Sequence, residues 1–597
     1  MNQDDPVIVD RRNILLAAMM GGGLASLAGC APGENQSEDD IWAGFDARIT
    51  ERTLAEAEKL FGLEFSTSER QQILGGAVEE DEEGFFAKQV ATLHSRRSHD
   101  IPNSLAPATS FDPRLPGADY SSQDNALILY PEEIGPLPDN AESIAYASVK
   151  EQAHWMTTGH ITSRELTEIY LERIDRYGDL LQCFVTVTPG IARAQAERAD
   201  EERASGQVRG PLHGIPYGVK DLVDTKDIAT TWGAEPYKDR VPDRDGAVVR
   251  LLGEAGAVML GKTTLGALAW GDVWFGGETR NPWNPKEGAS GSSAGSGSAT
   301  AAGLCAFGIG TETLGSIVSP SDRNGLAGLR PTYGRVSRVG AMALCWSLDK
   351  IGPMCRFSED NALVLAALNG YDELDTGSID MGFSYDGGQP VSDLTIGFDP
   401  AWFDGENVSD ANRQALEAVR RLGATVREIT LPDLPIDEVS VALGVESAAA
   451  FEALTLSGRD DLLRRQINNA WPNAFRQSRY MSAVDYLQSE RLRRRVMHEA
   501  HDFFSQVDVV FGPSFGTPML SLTNYTGQPC LTVRAGFEKL KPRSLYGHPE
   551  NETDETLHRV PTSVSLWSSL FQEGKLVTVG RALEAELGVV AEKPTLG

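Results

Sequence analysis

Positive charge is in short supply in this sequence. Its 54 Lys and Arg residues stand against 85 Asp and Glu, a formal net charge of −31. A surface of that sign repels phosphate backbones, so nucleic acid is excluded as an expected partner. Cysteine is scarce too. Six occur in 597 residues, at 30, 183, 305, 345, 355 and 530, far apart and mostly in apolar surroundings, which excludes a disulfide framework or a cysteine metal cluster. After residue 30, no stretch is apolar for the roughly 20 residues a spanning helix needs, and nothing repeats at solenoid periods. His498 and His501 in "HEAHD" share a helix face but lack an evident third ligand, so an exposed helical surface is expected rather than a metal site. His213 lies near a candidate lysine strand without being needed by the chemistry below. The acidic runs "EEDEEG" (79–84) and "PENETDET" (549–556) have the composition of solvated loops.

The first thirty residues have the pattern of an export signal. Arg11 and Arg12 precede an apolar stretch from Ile14 to Ala28, too short to span a membrane. The paired arginines resemble a Tat signal, and Leu27-Ala28-Gly29-Cys30 resembles a lipobox, which would make Cys30 the lipidated N-terminus of the mature protein. Residues 1–29 are therefore expected to be a Tat-type lipoprotein signal peptide. The protein is expected on the periplasmic or cell-surface side, anchored through lipid at Cys30.

Residues 30–140 are expected to be a tether, a helical extension and a proline-rich strap. Within 41–100, Leu54, Ala57, Leu60 and Phe61 recur at helical spacing, whereas "IPNSLAPATSFDPRLPGADY" is irregular. The main domain is expected over 141–597. Thr162-x-x-Glu165 is a capping-box pattern, followed by Leu166, Ile169, Tyr170 and Ile174 on one face up to Gly178. "HGIPYGVKDLVD" predicts a short strand or turn carrying Lys220, "DGAVVRLLGEAGAVMLGKTTLG" a helix, a turn and a strand over Val258–Leu260, and "VDVVFGPSFG" a buried strand. Residues 371–505 are charged and predict a mostly helical insertion or lid. Strands alternating with helices give an α/β fold class with a largely buried sheet.

Residues 288–317, "GASGSSAGSGSATAAGLCAFGIGTETLGSI", hold six serines and eight glycines. A flexible linker would have that composition, but this stretch runs directly into an alanine-rich helix pattern and an apolar strand pattern, and a second glycine run starts where the strand should end. Loops at strand ends are where α/β proteins place their chemistry. Gly291-Ser292-Ser293-Ala294-Gly295 also matches G-x-S-x-G, which would make Ser293 a nucleophile on an elbow. That motif needs a strand immediately before it, and "RNPWNPKEGAS" has two prolines and no apolar run.

Three blocks, "RGPLHGIPYGVKDLVDT", "GSSAGSGSATAAGL" and "GTETLGSI…GLRPTYGRVSRVG", resemble the amidase signature family in order and spacing. The resemblance covers about residues 142–360 and returns near "DVVFGPSFGTPMLSLTNYTGQP". It implies the amidase signature fold, with a large mixed, mostly buried sheet covered by helices, and a Ser–cis-Ser–Lys triad: Ser316 as nucleophile, Ser292 as bridging serine after a cis peptide, and Lys220 as base. Lys262 in "LGKTT" is the alternative base. The backbone N–H groups of Thr313, Leu314, Gly315 and Ser316 would stabilise the oxyanion. Lysine removes a serine proton only when neutral, so its pKa must fall from about 10.4 toward 7 or 8. A buried site supplies such a shift, and a lysine out of reach of the nucleophile needs a second hydroxyl to pass the proton.

Here Glu312 and Leu314 replace the family's usual aspartate and glycine, and Val318 stands where arginine is common, so a reshaped pocket is expected. The resemblance implies an amidase, hydrolysing a small-molecule carboxamide through an acyl-serine and using no metal or organic cofactor. The alternatives are an ester or carbamate hydrolase on the same triad, or a non-catalytic amidase-like binding lipoprotein. The family's tRNA-dependent amidotransferases are disfavoured by the export pattern and the acidic charge.

Overall fold

A computed structural model of the protein describes residues 50–67, 70, 103–104, 109–120, 122–405, 408–466, 470–543 and 554–596. Arg11, Arg12 and Cys30 lie outside the described residues. The chain divides into two compact units, residues 1–98 and 99–597. In the first, Glu51–Phe61 form a helix that opens with reciprocal bonds between Thr50 and Thr53.

The second unit is built on one sheet of eleven strands. From edge to edge these are Thr425–Glu428, Thr395–Phe398, Val509–Pro513, His558–Trp567, Cys530–Leu540, Ala327–Arg330, Lys350–Cys355, Phe307–Glu312, Pro216–Lys220, Val258–Thr263 and Phe184–Val187. Pairing is antiparallel through the middle and parallel at the Thr425–Glu428 edge; toward the other edge Pro216–Lys220 lies between Phe307–Glu312 and Val258–Thr263 in parallel, and the last strand, Phe184–Val187, is antiparallel. Every residue of Pro216–Lys220, Val258–Thr263, Phe307–Glu312 and Val509–Pro513 is buried. Strands buried at successive positions need cover on both faces of the sheet, which explains why they appear in sequence as apolar runs rather than alternation.

The helix Ser163–Leu181 begins with the capping box formed by Thr162 and Glu165, and buries Leu166, Tyr170 and Ile174. It runs past Gly178, because Leu181 is itself a core residue. The mixed α/β architecture agrees with expectation, but three local features differ. The second unit begins at His99 rather than 141: Ala126–Ile128 of the strap pairs in parallel with Ser384–Asp386, and Asn103 exchanges bonds with the backbone of Ala343. Residues 371–505 carry, besides the expected helices, Thr395–Phe398 and Thr425–Glu428, which form one edge of the main sheet. Asn284–Gly288, before the serine loop, is a short strand paired with Arg280–Asn281. Elements this short are held by tertiary pairing and leave no periodic trace in the sequence.

Candidate active site

Parallel pairing sets the C-terminal ends of Pro216–Lys220 and Phe307–Glu312 side by side, with Val219 opposite Ile309. Lys220 ends the first strand. The second ends at Glu312 and passes through Thr313–Ser316 into the helix Val318–Asn324. The serine loop arrives beside them and enters the helix Ala294–Ala301. The Ser293 N–H donates to the Ser316 carbonyl at 3.2 Å, which ties the two loops together.

Lys220 is fully buried. Its Nζ lies 2.9 Å from the Oγ of Ser292, 2.9 Å from the Oγ of Ser293 and 2.9 Å from the Oγ1 of Thr311. Among the described residues, no carboxylate lies within ion-pair distance of it. Burial drives its pKa well below the ordinary lysine value, against the opposing fields of Asp349 and Glu312. This amine is therefore arranged to exchange a proton with hydroxyls.

Lys262, two strands from Phe307–Glu312 in the same sheet, is equally buried but differently partnered. Its Nζ donates to the Val223 carbonyl at 2.6 Å and to Thr230 Oγ1 at 2.8 Å, and sits 3.5 Å from Asp221 Oδ1. It sits within ion-pair distance of a buried carboxylate, which opposes the lowering of its proton affinity by burial. Ser293 is likewise accounted for: its Oγ donates to the Thr311 carbonyl and accepts from the Thr311 N–H, both at 3.1 Å, and the residue is fully buried. A strand does precede this loop, but the Ser293 hydroxyl faces inward rather than toward an elbow's open mouth.

The peptide between Gly291 and Ser292 is cis. A Cβ at Gly291 would stand 1.8 Å from the Gly271 carbonyl oxygen, so only glycine allows this approach of the two backbones. Gly315 has φ +83°, the left-handed conformation that turns the chain just before Ser316. Beyond these residues opens a cleft of about 800 Å³ that Thr313, Leu314, Gly315 and Ser316 line, with Ser316 7% exposed. Lys220 and Ser292 are buried and do not line the cleft. Trp270, Trp471, Leu344, Leu443, Phe515 and Leu520 give the cleft an apolar side.

Of the three departures from the family wording, Leu314 alone lines the cleft. Val318 is buried, and Glu312 points into the protein toward Arg330 and Asn524. The expected reshaping is therefore confined to Leu314. His213 is buried and accepts from the Arg209 N–H, apart from the lysine cluster. Among the described residues no group of three or more His, Cys, Asp or Glu is placed to hold a metal, and His501 packs against Tyr120. The five cysteines of the described residues are all buried and free.

Residues 165–576 match the family model described as Amidase. The chain belongs to the amidase family. It is 33% identical over 449 residues to a subunit of glutamyl-tRNA(Gln) amidotransferase from Halorhodospira halophila, covering 67% of this chain and 92% of that one. The corresponding subunit from Thioalkalivibrio sulfidiphilus is 34% identical over 73% of this chain and 96% of its own. Among solved structures, the peptide amidase of Stenotrophomonas maltophilia superposes with a TM-score of 0.64 at 28% identity, covering 76% of this chain and 99% of that one. This amidase is thus an enzyme of carbon–nitrogen bond hydrolysis with the amidase signature fold.

The contacts of Thr311 and Ser293 with Lys220, and the carboxylates of Glu312 and Asp349 around the Ser316 turn, are not legible in the sequence. Glu312 stands out in sequence only as a departure from the family wording, and Asp349 in "SLDKIG" carries no distinguishing spacing.

Proposed function

We propose that this amidase cleaves a small-molecule carboxamide through an acyl-Ser316 intermediate. Ser316 Oγ attacks the carbonyl carbon while its proton passes to Ser292, and the Ser292 proton passes to neutral Lys220. The N–H groups of Thr313, Leu314, Gly315 and Ser316 receive the charge that develops on the carbonyl oxygen. As the tetrahedral adduct collapses, Lys220 returns a proton through Ser292 to the leaving nitrogen. Water then attacks the acyl-enzyme by the same relay run again.

The observation that carries this reading is the 2.9 Å contact of a fully buried Lys220 Nζ with Ser292 Oγ, with no carboxylate in ion-pair reach among the described residues. An ammonium there would lack a counter-ion, whereas a neutral amine is stable there and can accept a proton. The apolar side of the cleft supports an amide bearing an apolar or aromatic group. The net charge of −31 supports a small molecule over a tRNA-linked substrate. A serine-directed covalent probe tests the nucleophile: labelling at Ser316 with turnover of a panel of peptide, aryl and alkyl amides is expected, and labelling elsewhere or none would defeat it.

We also propose that the protein is exported and anchored by lipid at Cys30. Arg11, Arg12 and Leu27-Ala28-Gly29-Cys30 support this reading.

A further inference from the structure

Two carboxylates outside the triad, Glu312 buried and Asp349 half-buried, hold opposite ends of the Thr313–Ser316 turn. At the near end, Asp349 Oδ1 accepts from the Thr313 hydroxyl at 2.6 Å, and its Oδ2 accepts from the N–H groups of Leu344 at 2.8 Å and Cys345 at 3.0 Å. At the far end, Glu312 Oε2 accepts from the N–H groups of Ile317 at 2.8 Å and Val318 at 2.9 Å. Its Oε1 accepts from Arg330 at 2.7 Å and from the Asn524 carboxamide at 2.8 Å. Arg330 is tied in turn to the Thr523 hydroxyl and the Gln528 carbonyl. Four donors thus converge on one carboxylate that is shut off from solvent, joining the turn to the strand Ala327–Arg330 and the helix Met519–Thr526.

We propose that Glu312 is a positioning residue of the amidase reaction: with Asp349 at the other end, it fixes the Thr313–Ser316 turn so that the oxyanion N–H groups and the Ser316 hydroxyl meet the substrate carbonyl together. This rests on the reading of Ser316 as nucleophile. Neither carboxylate touches the cleft, and both act through the backbone they hold. The turn needs such support because nothing regular surrounds it: Gly315 is in the left-handed region, and the four residues lie between the last residue of a strand and the first turn of a short helix. Buried carboxylate bonds of this kind are stronger than neutral ones, and they vanish if the acceptor becomes a mixed donor and acceptor. Burial alone would raise the Glu312 carboxyl, yet Arg330 and the Val318 N–H hold it down at about 2, so the group is an acceptor at both oxygens at any working pH.

The two positions differ in what an isosteric amide can do. In Glu312→Gln, each end of the side chain still faces two donors, and the new NH2 must point at one of those pairs, so the turn is pushed out of place. In Asp349→Asn, the oxygen can keep the Leu344 and Cys345 N–H groups while the NH2 donates to the Thr313 hydroxyl, so every partner is retained. Misplacing a reacting group by about 1 Å costs on the order of a hundredfold in rate. Glu312→Gln is therefore expected to lower kcat about a hundredfold with KM changed by less than about threefold, while Asp349→Asn stays within about threefold of the parent and Asp349→Ala falls between. Glu312→Asp, which keeps two acceptor oxygens on a shorter stem, is expected to recover part of the loss.

As a control for stability alone, Glu573→Gln breaks the buried pair with Arg335, 2.9 Å long and bonded to no residue of the turn, and is expected to lower the melting temperature with kcat per folded enzyme unchanged. Steady-state kinetics on the folded full-length variants, with Ser316→Ala in parallel, decide the matter. Parent-like kcat in folded Glu312→Gln, or a loss confined to KM, would overturn the proposal while leaving the nucleophile standing. An active Ser316→Ala would instead remove the reading beneath it. Should Glu312→Gln not fold, parent-like kcat in Glu312→Asp together with parent-like kcat in Asp349→Ala would overturn it.

Discussion

Asp221, the residue after Lys220, gives its carboxylate to Lys262 instead, at 3.5 Å, and both members of that pair are fully buried. The two lysines that the sequence leaves as rival bases are thus separated by the counter-ion. Lys262 has one beside it, although burial lowers its proton affinity too, while Lys220 has three hydroxyls and the Thr311 carbonyl at 3.4 Å. Lys220→Arg is expected to be as inactive as Lys220→Ala, because a guanidinium does not act as a base near neutral pH. Lys262→Met, by contrast, should destabilise the protein by about 3–5 kcal/mol through the stranded Asp221 charge. Thermal melting alongside turnover per folded enzyme separates the two. Inactive, fully stable Lys262→Met with active Lys220→Arg would reverse the assignment.

The serines are expected to differ in kind. Ser316→Ala should leave only background turnover and no acyl-enzyme burst. Ser292→Ala, which loses the relay, should keep a small residual rate, and the double variant should be little worse than Ser316→Ala, since residues acting as one unit are not additive. Ser293→Ala removes a hydroxyl bonded at both the Thr311 N–H and C=O. It should therefore cost stability, about 1–3 kcal/mol for the orphaned buried groups, and retain the burst. Loss of the burst in Ser293→Ala with its retention in Ser316→Ala would favour the elbow serine.

The pH dependence follows from the direction of the Lys220 shift. Its proton affinity is lowered chiefly by burial, and the proposed relay needs the neutral amine, so the rate should rise with pH through that lowered value and then level. The sign for stability is the same. Between the lowered folded pKa and the unfolded value of about 10.4, the unfolded chain binds a proton that the folded chain does not, so this group's contribution to stability rises with pH. Denaturant melts across that window should show a shallower pH slope in Lys220→Met than in the parent. An unchanged slope would mean that Lys220 carries its proton in the folded protein.

Leu314 lines the cleft within the turn that resemblance assigns to the oxyanion, at a position where the family usually has glycine. Leu314→Gly should open the cleft beside Ser316 and raise kcat/KM for amides with bulkier acyl groups relative to small ones. The ratio of the two, measured on a graded series, is the readout. A uniform change across the series would show that Leu314 does not contact substrate.

Cys30→Ala is expected to abolish lipid attachment and release the protein from the membrane fraction, since stable retention takes more than one acyl chain at the anchor. Mass spectrometry of the mature N-terminus and fractionation test this together. Unchanged fractionation, with a mature N-terminus at another residue, would defeat it.

The α/β class, the helix opened by Thr162 and Glu165, a short strand or turn carrying Lys220, an apolar strand before the second glycine run, and the serine-rich blocks are legible in the chain before it folds. These are local features: apolar runs, caps and glycine spacing are written in consecutive residues. Folding settles the rest: which buried lysine has a carboxylate, which of two adjacent serines is held by the Thr311 backbone, and where Glu312 and Asp349 send their oxygens. Lys220 and Lys262 both end or lie within buried strands, and Ser292 and Ser293 are neighbours in one loop, so composition and spacing treat each pair alike. The difference arises only when Asp221, Thr230 and Val223 close around one amine while Ser292, Ser293 and Thr311 close around the other. Proton affinity in a buried site is set by what lies within a few ångströms, and those neighbours come from segments far apart in the chain.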